Sequence, residues 1–122
     1  MPEGSVKRSV RVAERVREEI ARLLARELSD PRLAHAMITE VTMPDDLQSA
    51  RVKVRLAAGG HDGANRKRLL DGLRAAGGLI RKSVGRSLAL RHSPEIRFEY
   101  DEGQDARDRI EELLAEIKKE KQ

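Results

Sequence analysis

The side chains in this sequence with the clearest capacity for chemistry are the arginines and lysines of residues 64–94. This segment holds eight basic residues and one acid, so its net charge is +7. The basic residues are Arg66, Lys67, Arg68, Arg74, Arg81, Lys82, Arg86 and Arg91. Residues 95–122 hold six basic and ten acidic residues and carry a net charge of −4. A dense basic segment beside an acidic one indicates a polyanionic partner, bound by one face.

Residues 76–78, Ala-Gly-Gly, interrupt the helical periodicity of this basic segment. Two adjacent glycines inside a helix cost roughly 2 kcal/mol relative to alanines, so two helices that meet at a bend are expected. The first N–H groups of the second helix could bind a phosphate, framed by Arg74, Arg81 and Lys82. In the alternative interpretation, the glycines only permit tight packing against the first helix, and the charges form a solvated face.

A second set of arginines forms a stripe along the first helix, at spacings of three, four, seven and four residues from Arg8 to Arg26. These arginines could contact phosphates or pair with acids of the same helix, as Glu18 and Arg22 would at i,i+4. The stripe and the bend together give the set of predicted RNA-binding residues. The set is Arg8, Arg11, Arg15, Arg22, Arg74, Ala76, Gly77, Gly78, Arg81, Lys82, Arg86 and Arg91.

Residues with catalytic or metal-binding potential do not form a recognisable pattern. His35, His61 and His92 are scattered, and His61-Asp62, a conceivable proton-transfer pair, has no nucleophile nearby in sequence. The chain has no cysteine and neither of the common glycine-rich phosphate-binding motifs. We therefore expect a binding protein, with no catalytic residue, no cofactor and no metal.

The elements that must position these residues alternate between helical and strand patterns. We expect an amphipathic helix over 5–28 with Ser5 as its N-cap, strands over 36–43 and 50–57, a bent helix over 64–90, a strand over 95–101 and a final helix over 105–121. This order predicts an α+β domain in which helices cover one face of a three-stranded sheet. One domain spans 1–122, with its core in 5–114 and a frayed end over 115–122.

The scarcity of aromatic residues limits how nucleic acid can be recognised. The chain has one Phe, one Tyr and no Trp. Ile96, Phe98 and Tyr100 occupy every second position of the strand and therefore share one face. We expect the two rings in the core and not on a base-stacking platform. Recognition should then depend on RNA backbone and shape. With no apolar run long enough to span a membrane and no cysteine, a cytoplasmic protein without membrane contact is expected. We also expect it to be a monomer.

The sequence resembles the ribosome-binding factor A family over roughly residues 6–114. The first helix reads Arg11-Val12-Ala13-Glu14-Arg15-Val16 through Leu23-Leu24, followed by Asp30-Pro31-Arg32. The hairpin reads Ile38-Thr39-Glu40-Val41, then Asp46-Leu47 and Ala50. The bend reads Ala76-Gly77-Gly78-Leu79-Ile80-Arg81, then Gly85 and Leu90-Arg91. Pro94-Glu95-Ile96-Arg97-Phe98 and then Arg109-Ile110 and Leu113-Leu114 complete the match. The order and spacing of these pieces carry the resemblance.

The resemblance implies a type II KH-like fold, in which an Ala-x-Gly bend replaces the GxxG loop of other KH domains. Residues 76–78 fit this bend best, and residues 75–77 are the alternative register. The resemblance also implies a non-enzymatic protein that binds the free small ribosomal subunit and assists late maturation of small-subunit rRNA. It further implies release with the help of a ribosome-assembly GTPase and a role in growth in the cold. Some members have a longer tail, so functions of such a tail are not expected here.

Overall fold

The computed structural model describes residues 6–120, except for the side chains of residues 104 and 105. Four helices and three strands follow in the expected order. They are α1 (Arg8–Arg26), β1 (Ala36–Thr42), β2 (Ser49–Leu56), α2 (Gly63–Ala75), α3 (Gly77–Ser87), β3 (Glu95–Tyr100) and α4 (Glu102–Glu120), with a short 3-10 turn at Pro31–Leu33 after α1. The α+β class and the element order predicted from the sequence are confirmed.

The three strands form one sheet in the order β1-β2-β3. β1 pairs antiparallel with β2, and β3 pairs parallel with β2. Alternation on β2 directs Val52 and Val54 into the core, where both are fully buried with residues of α1, α2 and α3 such as Ile20, Leu69 and Ile80. Helices therefore cover one face of the sheet, and this packing is what brings α1 and α3 side by side.

The third strand has the predicted core face. Phe98 is buried, and Ile96 and Tyr100 pack against the core beside it. The hydroxyl oxygen of Tyr100 accepts a hydrogen bond from the Leu56 N–H at 3.1 Å, so its polar end is satisfied at the sheet edge. Neither ring is available as an exposed stacking platform, in agreement with the sequence-based prediction.

The imperfect alternation of β1 has a specific cause. The pairing register shifts between Ile38 and Glu40, so Thr39 is an extra residue on β1, as in a β-bulge. Ile38 before the bulge and Val41 after it both pack against the core, although an odd number of positions, three, lies from one to the other. The Thr39 hydroxyl donates to Asp101 Oδ2 at 2.6 Å, which ties the bulge to the end of β3.

Several predicted helix boundaries differ from the structure: α1 ends at Arg26 and not at residue 28, and α3 ends at Ser87 and not at residue 90. The first helix begins at Arg8 and not at residue 5, and Lys7, which precedes it, makes no side-chain capping bond. The predicted N-cap, Ser5, lies outside the described residues. The last helix begins at Glu102, three residues earlier than expected. Within residues 6–120, no helix combines the length and apolar character that a membrane crossing requires.

The last helix also takes a different position from the one its amphipathic pattern suggests. α4 does not join the layer formed by α1, α2 and α3. It contacts the opposite side of β2, where Asp108 pairs with Arg55. Its apolar stripe is between 48% and 60% exposed, at Ile110, Leu113, Leu114 and Ile117. The pattern identified the helix but not its position, because an apolar stripe alone does not specify what covers it.

Candidate nucleic-acid interface

The predicted bend is a junction between two separate helices at Ala76. This residue ends α2 and precedes α3 with φ of −85° and ψ of 0°. Its N–H donates to the Gly72 carbonyl at 3.1 Å, and its carbonyl accepts from the Ile80 N–H at 3.0 Å. Ala76 thus makes one backbone hydrogen bond within the last turn of α2 and another within the first turn of α3. The expectation of two helices meeting at Ala-Gly-Gly is confirmed.

No packing inside the protein requires the two glycines that follow this residue. Beyond its chain neighbours and the backbone of its own helix, a Cβ atom placed at Gly77 or Gly78 would meet no described atom within 4 Å. At Gly85 of the same helix, a Cβ would lie 2.0 Å from the Ser93 Oγ. The interpretation in which residues 77 and 78 permit tight packing against α1 is therefore wrong. Their lack of side chains instead leaves the start of α3 open to solvent.

The electrostatics at the start of α3 suit an anion. The first turn of this helix has no acidic residue and no side-chain cap, so its N–H groups are not covered by a local acceptor side chain. Arg74 on the preceding helix is 63% exposed, and its nearest carboxylate contact is Asp71 at 3.9 Å. Arg81 is held by the loop before β3, since its Nη2 donates to the Ser93 carbonyl at 3.3 Å.

The exposed side of α3 carries a continuous ridge. Gly78, Lys82 and Arg86 recur every four residues, and all three are exposed. At a rise of 1.5 Å per residue, the ridge is about 12 Å long. Neither cation of the ridge has an ion-pair partner among the described residues. The ridge connects the open helix start at one end of α3 with Leu88 and Leu90 beyond its other end.

The acidic residues of α1 form ion pairs with only part of the arginine stripe. Glu14 pairs with Arg17, and Glu19 pairs with Arg22 through two bonds of 3.0 and 2.8 Å. The predicted pair between Glu18 and Arg22 does not form. Arg22 instead also contacts Glu27 at 3.2 Å, so its guanidinium is fully engaged within its own segment. In the described part of the chain, no carboxylate lies within ion-pair distance of the stripe's first three members, Arg8, Arg11 and Arg15.

A buried carboxylate fixes α1 against α3. Glu19 is 8% exposed, and its Oε2 accepts hydrogen bonds from Ser83 at 2.6 Å and Ser87 at 3.0 Å. The guanidinium of Arg22 and these two hydroxyls lower the pKa of Glu19 to about 2 despite its burial. The helices that carry the basic residues are thereby held in one arrangement. Sequence reasoning missed this contact, because serines more than sixty residues away give no pattern.

The N-terminal half of α1 meets the C-terminal end of α3 at a groove of about 280 Å³. Arg8, Arg11 and Arg15 line it together with Val12, Leu88 and Leu90. Arg91 is exposed immediately after this groove. Two predicted clusters, which are far apart in sequence, therefore belong to one side of the molecule. We call this side the basic surface, and it consists of Arg8, Arg11, Arg15, Gly77, Gly78, Lys82, Arg86 and Arg91.

The remaining predicted residues border the basic surface or are engaged elsewhere. Arg74 and Ala76 lie at its end beside the helix junction, and Arg81 and Arg22 are bound to protein acceptors. No group of three metal-binding side chains occurs among residues 6–120, leaving aside the two side chains not described. His61, the possible proton-transfer residue, is exposed in the loop before α2. The basic surface is therefore the candidate binding site for an extended anion.

Comparisons with known proteins agree with this description over almost the whole chain. A sequence model of the family described as ribosome-binding factor A matches residues 8–114. The chain is 55% identical over 115 residues to ribosome-binding factor A of Sorangium cellulosum, covering 94% of this chain and 92% of the relative. It is 44% identical over 111 residues to that of Geotalea uraniireducens, covering 91% and 88%.

The fold is similar to two solved structures. The crystal structure of ribosome-binding factor A from Thermus thermophilus aligns with a TM-score of 0.65 at 18% identity, over 75% of this chain and 93% of that one. The solution NMR structure of a Thermotoga maritima protein aligns with a TM-score of 0.69 at 25% identity, over 84% and 94%. The fold is therefore similar even where the sequence identity is only 18% or 25%.

Proposed function

The chain belongs to the ribosome-binding factor A family, and from that membership we propose that it binds the free small ribosomal subunit and assists late maturation of its rRNA. The basic surface is the observation that carries the proposal. Its cations have no carboxylate partners in the described part of the chain, and its glycines have no packing role. Both features are explained by a phosphate-bearing partner outside the protein.

The proposed mechanism uses binding energy and no catalytic step. Phosphates of the rRNA contact the open start of α3 and the cations of α1 and α3, while the sheet holds these helices in place. A ligand shifts a conformational equilibrium only by its differential affinity for the two states. The factor therefore favours one immature arrangement of the rRNA and leaves when the mature arrangement no longer fits the basic surface.

The remaining family properties enter as parts of the same proposal. The factor acts as a monomer in the cytoplasm, where it meets assembling subunits, and a ribosome-assembly GTPase promotes its release. Growth in the cold depends on it most, because RNA misfolding is then slowest to reverse. These statements rest on family membership alone, whereas the proposal of phosphate contact also rests on the geometry of the basic surface.

Co-sedimentation with separated ribosomal particles tests the proposal directly. We expect the protein to pellet with free small subunits and to stay in the supernatant with large subunits and intact ribosomes. Equal binding to all three particles, or to duplex DNA in competition, would indicate a general nucleic-acid binder instead. If about four cations contact phosphates, log affinity should fall against log salt with a slope of about −3.

Charge reversal assigns the binding to a face of the molecule. The double variant Lys82→Glu, Arg86→Glu should lose most subunit binding while its thermal unfolding stays close to that of the parent. The matched control is Arg51→Glu, Arg97→Glu, which changes net charge equally at two exposed positions paired across β2 and β3. If the control loses binding and the α3 variant keeps it, the interface lies on the sheet.

A further inference from the structure

The groove between α1 and α3 differs from the rest of the basic surface because it has an apolar floor. Val12 and Leu88 are buried at 8% and 9% exposure, and Leu90 is half-buried beside them. Arg8, Arg11 and Arg15 form the other lining. Contact with phosphates alone would not need an apolar floor, since phosphate oxygens gain nothing from leucine side chains. The lining instead suits a ligand that is anionic at one end and flat and apolar at the other.

The size and charge of the groove limit what this ligand can be. Sites for drug-sized ligands usually enclose roughly 300–1,000 Å³. At about 280 Å³, this groove accommodates one ring system and its attached charge. Guanidinium groups serve both parts of such a ligand, because they bind phosphate oxygens through their edges and stack on flat rings through their faces. The described part of the chain places no carboxylate within ion-pair distance of these three arginines, so among these residues no carboxylate competes with an anion for them.

We propose that the groove lined by Arg11, Leu88 and Leu90 receives a single unstacked nucleotide of the RNA, with its base on the leucines and its phosphate on the arginines. The proposal rests on the proposed function, because the same RNA occupies the rest of the basic surface. It adds a preference for a bulged or single-stranded nucleotide over a continuous duplex. It also supplies a contact to a base in a protein that has no exposed aromatic platform on its sheet.

The position of the groove fits a strand that continues from the helix junction. α3 has 11 residues and is therefore about 16 Å long. The open glycine positions lie at its start and the groove lies beyond its end, with Lys82 and Arg86 on the exposed ridge between them. A backbone that follows this ridge passes from the helix start to the arginines of α1. The nucleotide that leaves the stack would be the one that reaches Leu90.

RNA hairpins that differ at one position provide the test. One stem carries a single bulged adenosine, the second carries an abasic bulge of equal charge, and the third is fully paired. We expect the bulged adenosine to bind at least fivefold more tightly than the other two. A 2-aminopurine at the bulge should also change its fluorescence on binding. Equal affinity for the adenosine and abasic bulges would overturn the proposal, because the base would then contribute nothing.

Protein variants assign the effect to the groove. Leu90→Ser should remove the preference for the bulged adenosine, Leu90→Met should restore it, and the exposed Leu79→Ser on α3 should leave it intact. Thermal unfolding of each variant shows whether the fold is kept. Retention of the preference in a folded Leu90→Ser variant would move the base elsewhere. Binding of free small subunits by the parent protein without any preference for a bulged base would leave the proposed function standing and reject only this inference.

Discussion

Glu19 is the residue whose charge matters most to the arrangement of the helices. Its carboxylate is buried between α1 and α3 and accepts bonds from Arg22, Ser83 and Ser87. Hydrogen bonds to a charged group contribute roughly 1.5–3 kcal/mol each when one partner is removed. Glu19→Gln should therefore lower the free energy of unfolding by roughly 1.5–3 kcal/mol in a denaturant titration, the contribution of one such bond. Glu14→Gln, which removes an exposed partner of Arg17 on the same helix, is the control and should change it by less than about 0.5 kcal/mol.

The lowered pKa of Glu19 also predicts how stability depends on pH. The carboxyl has a pKa of about 2 in the folded protein against an ordinary value of 4.5. Because the folded value is the lower one, the stabilisation is present above about pH 4.5 and is lost as the pH falls toward 2. Thermal unfolding between pH 6 and pH 2.5 should show a smaller decline for Glu19→Gln than for the parent. Parallel declines would mean that other carboxyls dominate the acid response.

Ala89 is a second residue whose substitution should change the free energy of unfolding measurably. It follows α3 with φ of +52°, a left-handed conformation that costs an L-residue about 1–2 kcal/mol. The N–H groups of Ala89 and Leu90 donate to the carbonyls of Arg86 and Gly85, the two bonds of a Schellman motif in which glycine usually takes this place. Ala89→Gly should raise the free energy of unfolding by about 0.5–1 kcal/mol, after the added entropy of the unfolded chain is counted. Ala21→Gly within α1 should lower it by a similar amount, and a loss of stability in both would contradict this account.

Among the elements, the junction between α2 and α3 is the place where one substitution should change stability and binding in opposite directions. A Cβ at Gly78 meets nothing, and alanine favours a helix over glycine, so Gly78→Ala should raise the free energy of unfolding by about 0.5 kcal/mol. The same methyl group would obstruct a phosphate at the start of α3, and binding of small subunits should weaken. A variant that is more stable and binds as well as the parent would exclude backbone contact at this position.

Gly85 supplies the opposite control on the same helix. Its Cβ would lie 2.0 Å from the Ser93 Oγ and 3.1 Å from the Ser93 Cβ, so Gly85→Ala must turn the Ser93 hydroxyl away and shift Ser93 by a few tenths of an ångström. Such overpacking costs about 1–3 kcal/mol. We expect this variant to unfold more easily, whereas Gly78→Ala unfolds less easily. The two alanine variants therefore distinguish a glycine kept for a partner from a glycine kept for packing.

The sequence predicts these elements well where one chain segment contains the whole signal. The period of β2, the stop before Pro31 and the glycine interruption are local, and the structure confirms all three. Contacts between distant segments are not encoded in such patterns. The bonds from Ser83 and Ser87 to Glu19 and the groove between α1 and Leu90 depend on how the helices pack on the sheet. For that reason the sequence predicted the basic residues individually, but not the surface that they form together.

α4 lies outside the helical layer that covers the core, and none of its described side chains is buried. Its apolar stripe is exposed, and ion pairs near the start of the helix, Asp108 with Arg55 and Glu102 with Arg66, connect it to the rest of the protein. Residues 110–122 contain three basic and four acidic residues, so their removal changes the net charge by only one unit. They are therefore expected to contribute little to either the core or the field of the basic surface.

Truncation after Arg109 tests this separation. The shortened chain should lose helical circular dichroism in proportion to the residues removed, while its melting temperature changes by no more than a few degrees, because no buried apolar side chain is lost. Its affinity for free small subunits should match that of the full chain at equal salt. Asp108→Asn in the full chain is the companion variant, since it weakens the ion pair with Arg55 and leaves the apolar stripe in place. A large fall in melting temperature for the truncated chain would show that the stripe packs in solution, and a fall in affinity alone would place α4 at the ribosomal interface.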